Sequence, residues 1–107
     1  MESFLIIERE GAIATITLNR PQERNAITRP EHIQEIRDFC AEATRDPTLK
    51  AVVVTGAGSA FCAGGNVKDM RDKAGIFEGT PYELRNRYRE GIQQIPLALY
   101  ELEVPTI

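Results

Sequence analysis

The sequence predicts a mixed α/β fold with a buried parallel component. Three observations predict it. An apolar segment before Gly11 and a segment alternating with β-branched residues after it form the pattern of a β-hairpin. An amphipathic helix follows Pro30. A continuous apolar run, Ala51-Val52-Val53-Val54-Thr55, then reads as a short strand covered on both faces. Strands interleaved with helices in this order define the class.

The first strand spans Phe4 to Glu10, and the second runs from Ala12 to Leu18. Asn19-Arg20-Pro21 breaks the hairpin, and residues 19–29 form a polar loop. Pro30 opens a helix, because its missing N–H costs nothing in a first turn. Ile33, Ile36, Phe39, Cys40 and Ala43 recur at helical spacing to about Arg45, and Asp46-Pro47 ends the helix. After the Ala51–Thr55 strand, Gly56-Ala57-Gly58-Ser59 turns the chain, and Ala60-Phe61-Cys62-Ala63 is a second short extended piece. Asn66 caps a short helix from Val67 to about Arg71. Residues 72–79 read as a mobile loop. Thr80 caps a long helix opened by Pro81, which Pro96 kinks or splits. Val104-Pro105-Thr106-Ile107 reads as the start of another strand.

The 107 residues suit one domain, and 27% charged with 42% hydrophobic residues argues against disorder. No apolar stretch approaches the ~18 residues of a membrane helix, and Met1-Glu2-Ser3-Phe4 lacks the pattern of a secretory leader. Net charge is −3, with basic and acidic side chains mixed along the chain, so no basic tract tracks a nucleic-acid backbone. Cys40 and Cys62 lie 22 positions apart without a CxxC or a nearby His pair, which predicts neither a metal site nor a disulfide. Both read as reduced, buried thiols, consistent with the cytoplasm. His32, the one histidine, reads as a half-exposed structural residue near the start of a helix.

The glycine-rich stretch from Gly56 to Asn66 carries the chemistry. It lacks the Gly-Lys-Ser/Thr of a phosphate loop and the third Gly of the dinucleotide fingerprint. What remains is a strand, a Gly-Gly pair and a helix N-terminus. Glycine lets a ligand approach the main chain closely, and the first N–H groups of a helix lack internal partners. Such donors suit an anionic oxygen. A plain tight turn fits the same pattern.

Asn19-Arg20-Pro21-Gln22-Glu23-Arg24-Asn25-Ala26, then Val52-Val53-Val54-Thr55-Gly56, then Phe61-Cys62-Ala63-Gly64-Gly65-Asn66-Val67-Lys68-Asp69-Met70 resemble the crotonase superfamily of enoyl-CoA hydratases and isomerases. The resemblance implies a superhelix of ββα units, present here as its N-terminal part (residues 1–107), with the C-terminal part absent. It implies an acyl-CoA thioester as substrate, coenzyme A entering only as part of it and no separate cofactor. It places one of two oxyanion donors on the Gly65 N–H. It assigns Ala63, Asn66, Val67 and Lys68 to the CoA-binding stretch, and sets Arg24 and Ala26 beside it, Arg24 within reach of the CoA phosphates. Asn66 stands where many relatives carry Asp, but both residues cap helices. Lys68 and Asp69 read as surface residues. The loop at 72–79 and the start of the long helix are expected to line an acyl pocket with Met70, Ile76 and Phe77 as its walls; simple packing of these side chains under the loop fits the same pattern.

The resemblance also implies a homo-oligomeric parent, a trimer or a hexamer of two trimers, catalysing syn hydration of trans-2-enoyl-CoA. Isomerisation, thioester hydrolysis and decarboxylation stay open within the family, as does a non-catalytic CoA- or partner-binding module. The paired glutamates and the second oxyanion donor of family hydratases lie beyond the Val104 strand, so the 107 residues alone are predicted inactive.

Overall fold

The structure is a computed structural model describing residues 3–107. Met1 and Glu2, on which the reading of the N-terminus partly rests, lie outside the described residues. Strand β1 (Leu5–Glu10) turns at Gly11 into β2 (Ile13–Leu18). Gly11 sits at φ +59°, the left-handed conformation that a two-residue hairpin loop asks of its first residue. The strands pair antiparallel from Leu5 opposite Leu18 to Glu10 opposite Ile13. Helix α1 (Pro30–Arg45) then carries the chain back, and β3 (Ala51–Gly56) pairs parallel with β2, Ala14 against Val52 and Ile16 against Val54. The sheet order is β1-β2-β3.

One face of this sheet is covered. Ala14, Ile16, Leu18 and Val52 meet Ile33, Ile36, Phe39, Cys40 and Ala43 of α1 in a single core. Full burial of side chains such as Ile36 and Phe39 contributes about 1.5–3 kcal/mol each. Of β3 only Val52 is fully buried; Val53 and Val54 are half-buried and Thr55 is exposed. The expectation of a strand covered on both faces is therefore corrected. Val53 and Thr55 share register with Thr15 and Thr17, on the face away from α1.

Polar side chains fix α1 at both ends. Glu35 accepts the Phe4 N–H at 2.9 Å and the Leu5 N–H at 3.2 Å, tying the helix to the entry of β1. Beyond the C-terminus, Asp46 accepts from the Thr48 N–H and hydroxyl, and Arg9 reaches it at 2.9 Å. The Thr48 hydroxyl first, then Arg9, hold the Asp46 carboxyl well below the usual carboxylate range. His32 is 5% exposed, not half-exposed as expected. Its ring stacks on Phe4 at 4.3 Å between centroids, and Nδ1 accepts the Thr28 N–H at 3.2 Å.

Helix α2 (Val67–Asp72) matches its expected span, and the Asn66 side chain caps it by accepting the Asp69 N–H at 3.0 Å. Residues 75–77 form a 3₁₀ turn where a loop was expected. Its anchor is Phe77, buried at 3% exposure against Tyr88, with ring centroids 5.4 Å apart. The long helix is two helices, α3 (Pro81–Glu90) and α4 (Gln94–Tyr100). The break falls at Gly91, whose backbone (φ −112°, ψ −110°) leaves helical geometry. Pro96 follows in the first turn of α4, where its missing N–H is harmless. Thr80 and Glu83 form a reciprocal capping box at the start of α3. The C-terminal residues extend the sheet beyond β3. Val52 N–H donates to Pro105 O at 2.9 Å, and Ile107 N–H returns to Val52 O at 2.9 Å.

Candidate functional site

The site is built where two irregular segments, 24–27 and 61–66, run side by side at the end of β3. Neither is a regular strand, and the extended piece expected at Ala60–Ala63 forms none. Arg24 and Asn25 both lie in the left-handed region, at φ +53° and +58°. Asn tolerates this conformation better than most residues, because its short polar side chain bonds locally. Asn25 is fully buried, at 0% exposure. Its Oδ1 accepts the Arg20 N–H at 2.8 Å. Its Nδ2 donates to the carbonyls of Ala57, Ala60 and Phe61 at 3.0, 2.9 and 3.0 Å.

Gly56 makes that arrangement possible. A Cβ there would collide with the Phe61 carbonyl and come within 2.7 Å of the Ala60 carbonyl and 2.8 Å of Asn25 Nδ2. The requirement is close approach, since Gly56 has no unusual φ.

The main chain then ties the segments together. Ala63 N–H donates to Arg24 O at 2.9 Å, and Ile27 N–H donates to Gly64 O at 2.8 Å. The Cys62 thiol donates to Asn25 O at 3.3 Å and its sulfur accepts the Gly64 N–H at 3.4 Å. Cys62 is half-buried where burial was expected, whereas Cys40 is buried at 4% and its thiol pKa is raised by desolvation.

Gly65 lies at the centre. None of the described peptide bonds is cis, so the planar Gly64–Gly65 unit points its N–H opposite the Gly64 carbonyl. That carbonyl is held by Ile27, so the Gly65 N–H is directed away from the 24–27 segment. It donates to no acceptor among the described residues. A Cβ on Gly65 would lie 2.7 Å from both Met70 Cε and Phe77 Cζ, so glycine is again set by space.

The remaining expected residues gather around this point. Ala63, Val67 and Lys68 are exposed, Asn66 is half-buried, and Ala26 is buried at 5%. Arg24 is exposed, bonded to Ala63 through its carbonyl. The dipole behind these donors is that of a six-residue helix, a little under two turns. An apolar cavity of about 240 Å³ lies between α1, the 3₁₀ turn and α3, lined by Pro30, Ile33, Ile76, Phe77, Tyr88 and Ile92, with Arg87, Glu90 and Gly91 completing the wall. Ile76 and Phe77 line this cavity. The Met70 methyl lies beside Gly65, outside that cavity.

The family profile described as enoyl-CoA hydratase/isomerase matches residues 8–107. The chain belongs to the enoyl-CoA hydratase/isomerase family. A probable enoyl-CoA hydratase of Mycobacterium tuberculosis is 41% identical over 104 residues, covering 96% of this chain and 37% of that protein. A mevalonyl-coenzyme A hydratase of Beauveria bassiana is 47% identical over 62 residues, covering 58% of this chain and 22% of its own. An enoyl-CoA hydratase structure from Mycobacterium smegmatis superposes with a TM-score of 0.81 at 28% identity, over 98% of this chain and 38% of that one. The chain thus spans less than two-fifths of these relatives.

Asn25 carries a role that the sequence motif alone does not assign. An Asn ahead of two apolar residues inside a polar loop is a candidate for left-handed backbone. The three carbonyls it holds lie 32 to 36 residues away, which no local pattern reveals. Among the described residues no cluster of His, Cys, Asp and Glu could hold a metal ion, and no helix is long and apolar enough to cross a membrane.

Proposed function

We propose that the chain carries the acyl-CoA-binding front of an enoyl-CoA hydratase, with the Gly65 N–H as one of two donors to the thioester oxygen. The observation that carries this reading is the Gly65 N–H itself, fixed in direction and lacking an acceptor among the described residues. A donor already aimed pays no reorganisation when charge develops on the oxygen of an enolate. Ala63, Asn66, Val67 and Lys68 offer main-chain contacts to the adenine and pantetheine of CoA. Arg24 and Ala26 flank them, with Arg24 toward the phosphates. Ile76 and Phe77 meet the acyl group.

The whole protein, in this reading, adds water syn across a trans-2-enoyl-CoA as a trimer-based homo-oligomer. The 107 residues alone do not. One missing oxyanion donor costs about 3–4 kcal/mol of transition-state stabilisation, or 10²–10³ in rate. A missing general acid–base removes a further ~10²–10⁴. The test follows loss of the conjugated-thioester absorbance of crotonyl-CoA with the 107-residue chain. No turnover above background is expected; turnover near that of a whole relative overturns the reading.

A further inference from the structure

We propose that Asn25 is a positioning residue for the Gly65 N–H, acting through Ile27 and Cys62. The inference rests on Gly65 being the oxyanion donor, and it adds the residue that aims it. Asn25 makes no hydrogen bond to Gly65 among the described residues. It stands between the two segments that fix the Gly64–Gly65 peptide plane. Its left-handed backbone, φ +58°, follows Arg24 and precedes Ala26-Ile27, so the Arg24 carbonyl and the Ile27 N–H both face the 63–64 segment. Ile27 N–H then holds the Gly64 carbonyl, and a planar peptide turns that contact into a direction for the Gly65 N–H.

The second link is through sulfur. The Asn25 carbonyl accepts the Cys62 thiol, and the Cys62 sulfur accepts the Gly64 N–H. Gly64 lies at φ +81° with open space around a notional Cβ, so its turn is held by these bonds and not by packing. The third link is the side-chain amide, which pins Ala57, Ala60 and Phe61 and so fixes where the chain enters Cys62. All three links originate on one buried residue.

The experiment uses the ¹⁵N-labelled 107-residue chain without ligand, so its outcome is separate from whether Gly65 meets a thioester. Asn25→Gly keeps access to positive φ and removes the side-chain bonds. The expected result is at least tenfold faster exchange of the Ile27 and Ala63 amides and a moved Gly65 amide resonance, with the Ile16 and Val52 amides unchanged. A lower melting temperature with an unmoved Gly65 resonance overturns the proposal, leaving Asn25 a purely structural residue. Should Asn25→Gly fail to fold, the unaltered chain decides. The Asn25 side-chain NH₂ and the Ile27 and Ala63 amides are then expected to exchange in one cooperative step. Ile27 and Ala63 protected more than tenfold longer than the Asn25 NH₂ contradict it.

Discussion

The side-chain amide of Asn25 donates to the carbonyl of Phe61 at 3.0 Å, joining the loop after β2 to the loop after β3. The same nitrogen serves Ala57 and Ala60, so one buried group satisfies three loop carbonyls. Asn25→Asp is nearly isosteric but turns a carboxylate oxygen toward all three. Loss of the donor, together with repulsion in a buried site, is expected to destabilise the chain by about 3–5 kcal/mol. Urea denaturation of the two chains measures it.

Gly65→Ala places a methyl group within 2.7 Å of Met70 Cε and Phe77 Cζ. Met70 can swing away, because it is an exposed residue with a flexible side chain, but the buried Phe77 ring cannot do so freely. The expected cost is about 1–3 kcal/mol, as for overpacking in general. Met70→Ala is expected to restore little of it, and Phe77→Leu more. Thermal denaturation of the single and double variants checks the order.

His32 gives the fold a pH dependence of stated sign. Burial, then the nearby Arg20, lowers its pKa below the usual histidine value, with Arg29 adding to this and Glu35 and Glu31 opposing it. Nδ1 accepts the Thr28 N–H, which requires that nitrogen to be unprotonated. The unfolded chain therefore binds a proton that the folded chain does not. The contribution is fully present above about pH 6.5 and is lost as pH falls from there toward the lowered value. The slope reaches at most about 1.4 kcal/mol per pH unit. His32→Gln is expected to flatten the fall in melting temperature between about pH 6.5 and 5.

Thr80→Ala removes half of the capping box on α3, where Thr80 Oγ1 accepts the Glu83 N–H at 3.2 Å and Glu83 answers at 3.1 Å. A loss of about 1 kcal/mol is expected. Because α3 buries no residue fully, fraying should appear first as faster amide exchange at Glu83 and Leu84.

The elements with strong local signals were legible in the sequence. Gly11 marks a turn because a hairpin needs its φ, and Asn66 marks a helix start because its side chain can accept from Asp69. The Ile33 to Ala43 spacing located the face of α1 that meets the sheet. What local pattern could not show was which faces are covered. Val53 is as apolar as Val52, yet only Val52 is fully buried, because α1 covers one side of the sheet and Val53 faces the other. His32 reads as half-exposed from its place near the helix start, but Phe4, 28 positions earlier, stacks on it and it is buried. Gly91 ended α3 before Pro96 could, a choice between two breakers that neither settles alone. In the candidate site, the motif singles out Gly65 and its neighbours. The reason for glycine there lies in Phe77 and Met70, which no local pattern brings beside it.

The central claim is that the Gly65 N–H meets the thioester oxygen of an acyl-CoA. Titrating the ¹⁵N-labelled chain with butyryl-CoA, with free CoA as the control, tests it most directly. Butyryl-CoA is expected to move the Gly65 amide proton downfield in a saturable way, with smaller shifts at Asn66 and Val67, while free CoA leaves Gly65 in place. A Gly65 resonance that ignores butyryl-CoA at millimolar concentration, or that responds equally to free CoA, contradicts the account.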